Sequence, residues 1–247
     1  MPVPPESPLP GGFVNAVVRA GDTVRRPASA RTEFVAGLLR LLEAGGWRGA
    51  PRFLGVDGEG REVLSYLDGH VAWEPRQPAA VSSDESLVAL ARLVREFHDL
   101  TAGTALAGSC EVVCHNDLSP RNTVYRPAGG ALRPVAFIDW DIAAPGARIH
   151  DVAHVCWQYL PLGPAADPGE AARRMRLVAD GYGLVDRGDL VSTVLWWQDR
   201  CWRGIEREAE AGDPAMGRLR DAGVPGEVRR AFRWVAEHRG VLEDALR

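Results

Sequence analysis

Apolar and polar residues along the first part of the chain alternate in the way that is typical of short β-strands, with one helical stretch between them. We expect a hairpin over residues 13–27, with its turn at Gly21-Asp22, and a second hairpin over residues 53–67. Between the hairpins, apolar residues recur at helical spacing from Ser29, a candidate helix cap, to Gly45-Gly46. The pattern predicts a small β-rich lobe.

The periodicity beyond Asp68-Gly69 becomes mainly helical, which predicts a second and larger lobe. Ser82 and Glu85 have the spacing of a capping box and precede a helix with one apolar face. Three later helices are predicted to begin at Asp167-Pro168, to run from Asp189 to about Ala211, and to run from about Glu227 to His238. The predicted fold class is α+β, with an N-terminal lobe over residues 1–68 and a C-terminal lobe over residues 69–247.

Three short apolar segments in the middle of the chain have the pattern of strands, and polar residues stand at their ends. The segments are residues 111–114, 123–125 and 135–138. The loop between the first two, H-N-D-L-S-P-R-N, contains Asp117 and Asn122, and Asp139 directly follows the third segment. We expect both acidic side chains at strand ends that face one cleft.

These residue types supply what phosphoryl transfer from a nucleotide requires. A carboxylate such as Asp117 accepts the proton of an attacking hydroxyl, while Asn122 and Asp139 offer oxygen ligands to Mg²⁺. The spacing H-x-D-x4-N is that of a kinase catalytic loop, and the Asp after the next strand corresponds to the metal-binding Asp of kinases. We therefore predict Asp117 as the catalytic base and Asn122 and Asp139 as metal ligands. His115 is expected to support the loop by hydrogen bonding.

The same motifs carry a resemblance to a known family. H-N-D-L-S-P-R-N-T-V-Y, F-I-D-W-D and G-A-R-I-H-D-V-A resemble motifs of the aminoglycoside phosphotransferase and choline kinase-like family, and the similarity extends from about Gly11 to about Gly183. The resemblance implies a two-lobed, protein-kinase-like fold. It also implies Mg²⁺-dependent transfer of the γ-phosphoryl group of ATP or GTP to a hydroxyl of a small molecule. Aminoglycosides, choline-like amines, other amino-alcohols, macrolides and sugars are acceptors on similar scaffolds, so the acceptor stays open.

Composition excludes several other classes. A net charge of -4 and a pI near 5.9 argue against a nucleic-acid surface and are compatible with a cationic acceptor. No apolar run approaches the ~18 residues that span a bilayer, and the Pro-rich start lacks the pattern of a signal peptide, so a cytoplasmic location is expected. The cysteines form no C-x-x-C pair and no zinc-finger spacing, which favours free thiols.

All 29 basic residues are Arg, and the chain has no Lys. Protein kinases use a strand Lys to contact the α and β phosphates, so an Arg has to take that role here. The segment Thr23–Pro27 resembles the corresponding strand of the family, which favours Arg25, while alternation turns Arg26 to the opposite face and leaves Arg19 as the next candidate. Glu33 is a candidate partner for the Arg. The missing Lys also motivates the alternative hypothesis of a nucleotide-binding pseudokinase without transferase activity.

Two further segments are predicted, from the resemblance, to contact the nucleotide. Backbone N–H groups of the segment from Gly11-Gly12 to Asn15 would approach phosphate oxygens. The segment with Ser65, Tyr66 and Leu67 resembles the hinge, whose backbone contacts the base. An ordinary turn and an edge strand are the alternative interpretations of these two segments.

Aromatic and histidine residues beyond the central motifs leave two alternatives open. His150 and His154 share one helical face and, together with the pair His98-Asp99, suggest a metal hydrolase as a competing enzyme class. That class needs an all-helical site, whereas the most specific motif lies between strands, so phosphoryl transfer is preferred. Five aromatic residues are expected either in the core or in a stacking wall for a cationic or sugar acceptor: Trp157, Tyr159, Trp196, Trp197 and Trp202.

Overall fold

The chain forms two compact units, Met1–Arg148 and Ile149–Arg247. The computed structural model describes residues 5–9, 17–74 and 76–247. The boundary that the sequence suggests between two lobes, near residue 68, stays a prediction. No helix within the described ranges is both long enough and apolar enough to cross a membrane.

The first unit begins with a five-stranded antiparallel sheet in the order β1-β2-β3-β5-β4. Its strands are β1 (Glu6–Pro8), β2 (Val18–Ala20), β3 (Thr23–Pro27), β4 (Phe53–Val56) and β5 (Arg61–Ser65). Both predicted hairpins are present as β2–β3 and β4–β5, although residues 13–16 of the first lie outside the described ranges. The pattern of apolar residues does not predict β1, whose sequence Glu-Ser-Pro is exposed throughout.

The helix between the hairpins, α1, comprises Thr32–Ala44 and buries one apolar face. Its buried residues are Val35, Ala36, Leu38, Leu39 and Leu42. The helix begins later than predicted, because the Ser29 hydroxyl accepts the N–H of Arg31 at 3.1 Å and so supports the turn before the helix. It ends at Gly45-Gly46 as predicted, where Gly46 has a φ of 73° in the left-handed region that terminates many helices.

The remainder of the first unit contains the strands that carry the central motifs. Its elements are β6 (His70–Val71), α2 (Asp84–Thr101), β7 (Val112–Cys114), β8 (Thr123–Ala128), β9 (Ala131–Phe137) and β10 (Ala144–Gly146). One sheet has the order β6-β8-β9, and β7 pairs with β10. The cap of α2 is Ser83 and not the predicted Ser82, because the Ser83 hydroxyl accepts the N–H of Ser86 at 3.2 Å.

An aromatic cluster forms the core beneath the motif-bearing loops. The ring of Phe97, on α2, lies 5.2 Å from that of Trp140, 6.1 Å from that of Phe137 and 5.9 Å from that of Trp47. Phe97, Phe137 and Trp140 are fully buried. Large buried rings dominate the packing energy of a core, so the residues on either side of Ile138-Asp139 are firmly held.

The second unit is helical in its described residues. Its helices are α3 (Arg148–Tyr159), α4 (Pro168–Tyr182), α5 (Leu190–Glu210), α6 (Pro214–Asp221), α7 (Val224–Glu237) and α8 (Arg239–Leu246), the first residue of α3 belonging to the first unit. The predicted start of α4 is correct, since Asp167 accepts the N–H of Glu170 at 2.7 Å. The sequence pattern identifies α5 and α7 but not the two eight-residue helices α6 and α8.

Candidate active site

The loop between β7 and β8 begins with His115, whose side chain is fully buried. Its Nδ1 accepts the backbone N–H of Asp117 at 3.3 Å, and its Nε2 donates to the carbonyl of Ile138 at 3.1 Å. The ring also lies 4.4 Å from that of Trp140. His115 therefore links the loop that carries Asp117 to the strand end that precedes Asp139, which is the supporting role expected of it.

Asp117 and Asn122 are in direct contact. The Asn122 amide nitrogen donates to the Asp117 carboxylate Oδ2 at 2.8 Å and to the Asp117 carbonyl at 2.9 Å. Because both donor positions of this amide are used, its oxygen is the atom that remains to bind a cation. The Asn122 carbonyl also accepts the N–H of Ile138 at 2.9 Å, so the two motif segments are joined a second time.

Asp139 lies two residues after the end of β9 and has an uncommon backbone conformation. Its φ is 64°, and that of Asn116 in the neighbouring loop is 65°. Asn and Asp are the non-glycine residues that adopt this left-handed region most readily, and the conformation costs of order 1 kcal/mol or more where surrounding contacts impose it. One such contact is the hydrogen bond at 3.0 Å from the Asn116 amide to the carbonyl of Ile142. The loop that contains Asp139 therefore helps to hold Asn116 in this conformation.

A buried arginine approaches Asp139 from β3. The Arg26 Nη1 lies 3.7 Å from the Asp139 carboxylate and forms an ion pair with Asp141, while its Nε donates to Glu62 at 2.5 Å. Arg25 points the other way, and its Nη1 is 3.6 Å from Glu6 and 3.7 Å from an Asp57 oxygen.

On this geometry Arg26, and not the predicted Arg25, is the arginine beside Asp139. Alternation along a strand correctly predicts that two neighbours face opposite sides. It does not tell which side faces the motif loops, because that depends on the pairing of β3 with β5, where Arg26 lies directly opposite Glu62. The predicted pairing of Glu33 with the arginine also differs from the structure, since Glu33 is exposed and the ion pairs of Arg25 are formed with other acids.

The side chains in the cluster around Arg26 carry more negative than positive charge. One guanidinium faces the three carboxylates of Glu62, Asp139 and Asp141. Partial desolvation of the Asp139 carboxylate, whose side chain is still half exposed, raises its pKa above the ordinary value, the adjacent Asp141 raises it further, and Arg26 opposes both effects. A divalent cation would remove this repulsion, and carboxylate and amide oxygens are the ligands that Mg²⁺ prefers. The residues present therefore fit the predicted metal.

The predicted hinge follows the end of β5. Ser65 and Tyr66 donate their backbone N–H groups to the carbonyls of Arg52 and Asp22, at 2.9 and 2.8 Å. Leu67 comes after the strand, so its backbone is not part of the sheet. The backbone N–H groups of Ser65 and Tyr66 are therefore engaged within the first unit, and the nucleotide contact of this segment stays a prediction.

Some predicted positions lie elsewhere or outside the described ranges. Asn15 and Gly11-Gly12 belong to residues that the structure does not describe, and their nucleotide contact stays a prediction. The Arg19 guanidinium lies 3.7 Å from the centre of the Tyr66 ring and its Nε donates to the carbonyl of Gly21 at 2.8 Å, so Arg19 stabilises the hinge side of the sheet.

Sequence reasoning missed Glu62. A carboxylate at a strand position whose neighbour Leu64 is buried on the same face is the signal that identifies it, because a buried charge requires a partner. It also missed Arg31, whose guanidinium donates to the carbonyl of Ala143 in the loop after Asp139.

The histidines of α3 contact aromatic residues of α5 within the second unit. The ring of His150 stacks on that of Trp196 at 5.4 Å, and the ring of His154 lies 4.9 Å from that of Trp197. The Trp197 indole donates to the carbonyl of His150 at 2.8 Å. Trp197 is buried whereas Trp196 is exposed, so this aromatic group is part core and part surface.

Comparison with known proteins agrees with this geometry. Residues 104–187, which contain both motif loops, match the Phosphotransferase enzyme family. The trifolitoxin immunity protein of Rhizobium leguminosarum bv. trifolii is 29% identical over 267 residues, a similarity that covers 96% of this chain and 97% of that protein.

Two solved structures are similar in fold. The GDP complex of aminoglycoside 2'-phosphotransferase-IIIa has a TM-score of 0.61 at 15% identity, covering 100% of this chain and 93% of that chain. A choline/ethanolamine kinase family protein from Mesorhizobium loti has a TM-score of 0.59 at 17% identity, covering 97% of this chain and 92% of that one. The predicted α+β, two-lobed, protein-kinase-like fold class is confirmed. In the motifs of its central segment and in its fold, this chain is similar to the aminoglycoside phosphotransferases and the choline and ethanolamine kinases.

Proposed function

We propose that the protein is a Mg²⁺-dependent phosphotransferase that moves the γ-phosphoryl group of ATP or GTP to a hydroxyl of a small molecule. The observation that carries this proposal is the contact of Asp117 with Asn122 in a loop that His115 ties to the residue before Asp139. Phosphoryl transfer requires positioned charges more than covalent chemistry, and this arrangement supplies them.

Asp117 is the base in this proposal. Its carboxylate is oriented by the Asn122 amide, and in this proposal it accepts the proton of the acceptor hydroxyl. Accepting that proton as the hydroxyl attacks contributes typically ~10²- to 10⁴-fold to the rate. The contact between base and amide also argues against the alternative of a pseudokinase, because this part of the catalytic arrangement is intact.

Asn122, through its amide oxygen, and Asp139, through its carboxylate, would hold Mg²⁺. When bound, the ion neutralises phosphate charge and orients the transferred group. Their positions on adjoining strand ends, joined by the hydrogen bond between the Asn122 carbonyl and the N–H of Ile138, support this assignment.

Arg26 is proposed as the cation that replaces the kinase Lys. It is buried, lies beside Asp139, and stands on the third strand of the first sheet. A guanidinium stays charged under all ordinary conditions and offers a planar pair of donors to phosphate oxygens. The segment of Ser65, Tyr66 and Leu67 is proposed to contact the base, with the Leu67 backbone as the main donor and acceptor.

The acceptor is proposed to be a hydroxylated small molecule, with aminoglycosides and other amino-alcohols as the first compounds to test. The curated relative that spans the whole chain is named an immunity protein against a toxin, trifolitoxin. This observation favours an acceptor that is itself toxic and that phosphorylation inactivates.

The test is a product screen by mass spectrometry. The purified protein is incubated with Mg²⁺ and either ATP or GTP, together with a panel of aminoglycosides, amino-alcohols and sugars, and products that gain one phosphoryl group are sought. The Asp117→Asn variant serves as the control for contaminating kinases. Nucleotide binding without a phosphorylated product in any mixture, or equal product from the control, would contradict the proposed activity.

A further inference from the structure

Arg26 is held from two sides by carboxylates that differ in their surroundings. Arg26 and Glu62 are both buried, at 8% and 2% exposure. The side chains of Asp139 and Asp141 on the other side are 51% and 38% exposed. One side of the guanidinium therefore contacts the buried Glu62, and the other side contacts Asp139 and Asp141, which solvent or a ligand can reach.

The anchor is built into the sheet. Arg26 of β3 and Glu62 of β5 are directly paired across the two strands, so their side chains project from the same face. The Arg26 Nε donates to the Glu62 carboxylate at 2.5 Å, while its Nη1 faces the carboxylates of Asp139 and Asp141. A hydrogen bond between two ionised groups fixed on adjacent strands restricts the arginine to one small range of positions.

We propose that Glu62 is a positioning residue that holds Arg26 as a pivot, and that Asp141 occupies the outer end of the guanidinium until nucleotide phosphates replace it. The inference rests on the proposed function, in which Arg26 meets the phosphates. In protein kinases a glutamate on a helix forms an ion pair with the strand Lys. In this inference Glu62, which lies on a strand, has the same role toward Arg26. It makes Asp141 a competitor of the nucleotide.

The exchange involves hydrogen bonds only. The Arg26 Nη atoms leave the Asp141 carboxylate and donate to phosphate oxygens, while the Nε bond to Glu62 is kept. Asp141 then faces solvent, which its partial exposure allows at small cost. Because the same guanidinium atoms serve both anions, occupancy of one excludes the other.

The two substitutions that test this have effects of opposite sign. Glu62→Gln removes the negative anchor, so Arg26 is less well placed for phosphate and nucleotide binding weakens. Asp141→Asn removes the competitor, so Arg26 is released for phosphate and binding becomes tighter. A purely structural role of the cluster would weaken binding in both variants.

The measurement is the affinity of the full chain for ATP in EDTA, by calorimetry, so that metal binding by the acidic residues does not enter. We expect about tenfold weaker binding for Glu62→Gln, as for loss of one charged hydrogen bond, and binding that is about threefold or more tighter for Asp141→Asn. Glu6→Gln is the matched control, because it removes a carboxylate that pairs with arginines on the same sheet away from Asp139. Its affinity should equal that of the parent.

Thermal unfolding of each variant checks that the first unit is folded. If the Glu62→Gln variant is unfolded, the affinity of the Asp141→Asn variant alone tests the inference. This variant is expected to fold because the Asp141 side chain is partly exposed. Unchanged or weaker binding by Asp141→Asn, or parent-like binding by a folded Glu62→Gln, would overturn the inference. If the parent binds neither ATP nor GTP, with or without Mg²⁺, the proposed function fails; if the parent binds nucleotide in EDTA and the variants do not differ from it, only the inference about Glu62 and Asp141 is wrong.

Discussion

At the scale of single residues, the two acidic groups of the motifs have different surroundings, which suit different tasks. Asp117 receives a hydrogen bond at 2.8 Å from the neutral Asn122 amide. Asp139 stands in a left-handed conformation among other carboxylates, with Arg26 as the neighbouring cation. The surroundings of Asp117 suit its proposed role as proton acceptor, and those of Asp139 suit its proposed role as ligand of a cation.

Asp117→Asn should remove most turnover and leave the affinity for nucleotide nearly unchanged, because the base contacts the acceptor and not the nucleotide. We expect a loss of about 10²- to 10⁴-fold in kcat. Steady-state kinetics gives the turnover and calorimetry with ATP gives the affinity. Near-parental turnover would mean that another group accepts the proton.

At the scale of elements, the strand β3 presents two adjacent arginines to opposite faces. Arg26 faces the loop after β9, whereas Arg25 belongs to an ion-pair network with Glu6 and Asp57. The network lowers the pKa of Glu6 through Arg61 and that of Asp57 through the N–H of Arg61. The two faces of one strand therefore serve two purposes, one for the candidate site and one for the cohesion of the sheet.

Arg26→Ala should weaken ATP binding by at least about tenfold, because a charged donor to phosphate is lost. Arg25→Ala is the neighbouring control and should change the affinity little. Arg26→Lys should restore part of the binding, since Lys returns the charge but not the planar pair of donors. The three affinities are measured side by side, and equal small effects at both positions would place the phosphate cation elsewhere.

Gly69→Ala should lower the stability of the first unit, because the hinge is followed by a glycine that no other residue can replace without a clash. Gly69 has a φ of 152°, and an added Cβ would lie 2.5 Å from Val124 and 2.8 Å from the carbonyl of Tyr125. We expect a loss of about 1–3 kcal/mol in the free energy of unfolding. Gly58→Ala, where nothing lies within 4 Å of the added atom, is the control in the same denaturation experiment.

At the scale of the whole molecule, hydrophobic periodicity and capping residues predict most helices and strands. Features that depend on pairing between separate segments are not predicted by these signals. The helix α5 and the Asp167 cap are encoded locally and were predicted. Strand β1 was missed because it is exposed and contains Pro8, and it is held by pairing with β2. The same limit applies to the site: spacing identifies Asp117, whereas the partnership of Arg26 with Glu62 depends on strand register.

Unfolding of the molecule should depend on pH through Asp139. Its pKa is raised in the folded protein, so the ionised carboxylate lowers stability at neutral pH, and this penalty disappears as the pH falls below the ordinary value of 3.8. Asp139→Asn should therefore raise the Tm of the metal-free protein at pH 7, by no more than about 1–3 °C because solvent screens the half-exposed carboxylate. The gain should shrink as the pH is lowered in a series of thermal scans. A gain that is the same at every pH would reflect only the preference of Asn for the left-handed conformation.

The arginine beside Asp139 also has a consequence for chemical inhibition. Electrophiles that acylate amines react with lysine side chains, and this chain has no lysine. The guanidinium of Arg26 is buried and is a poor nucleophile. Amine-acylating reagents should therefore leave the cation beside Asp139 unlabelled.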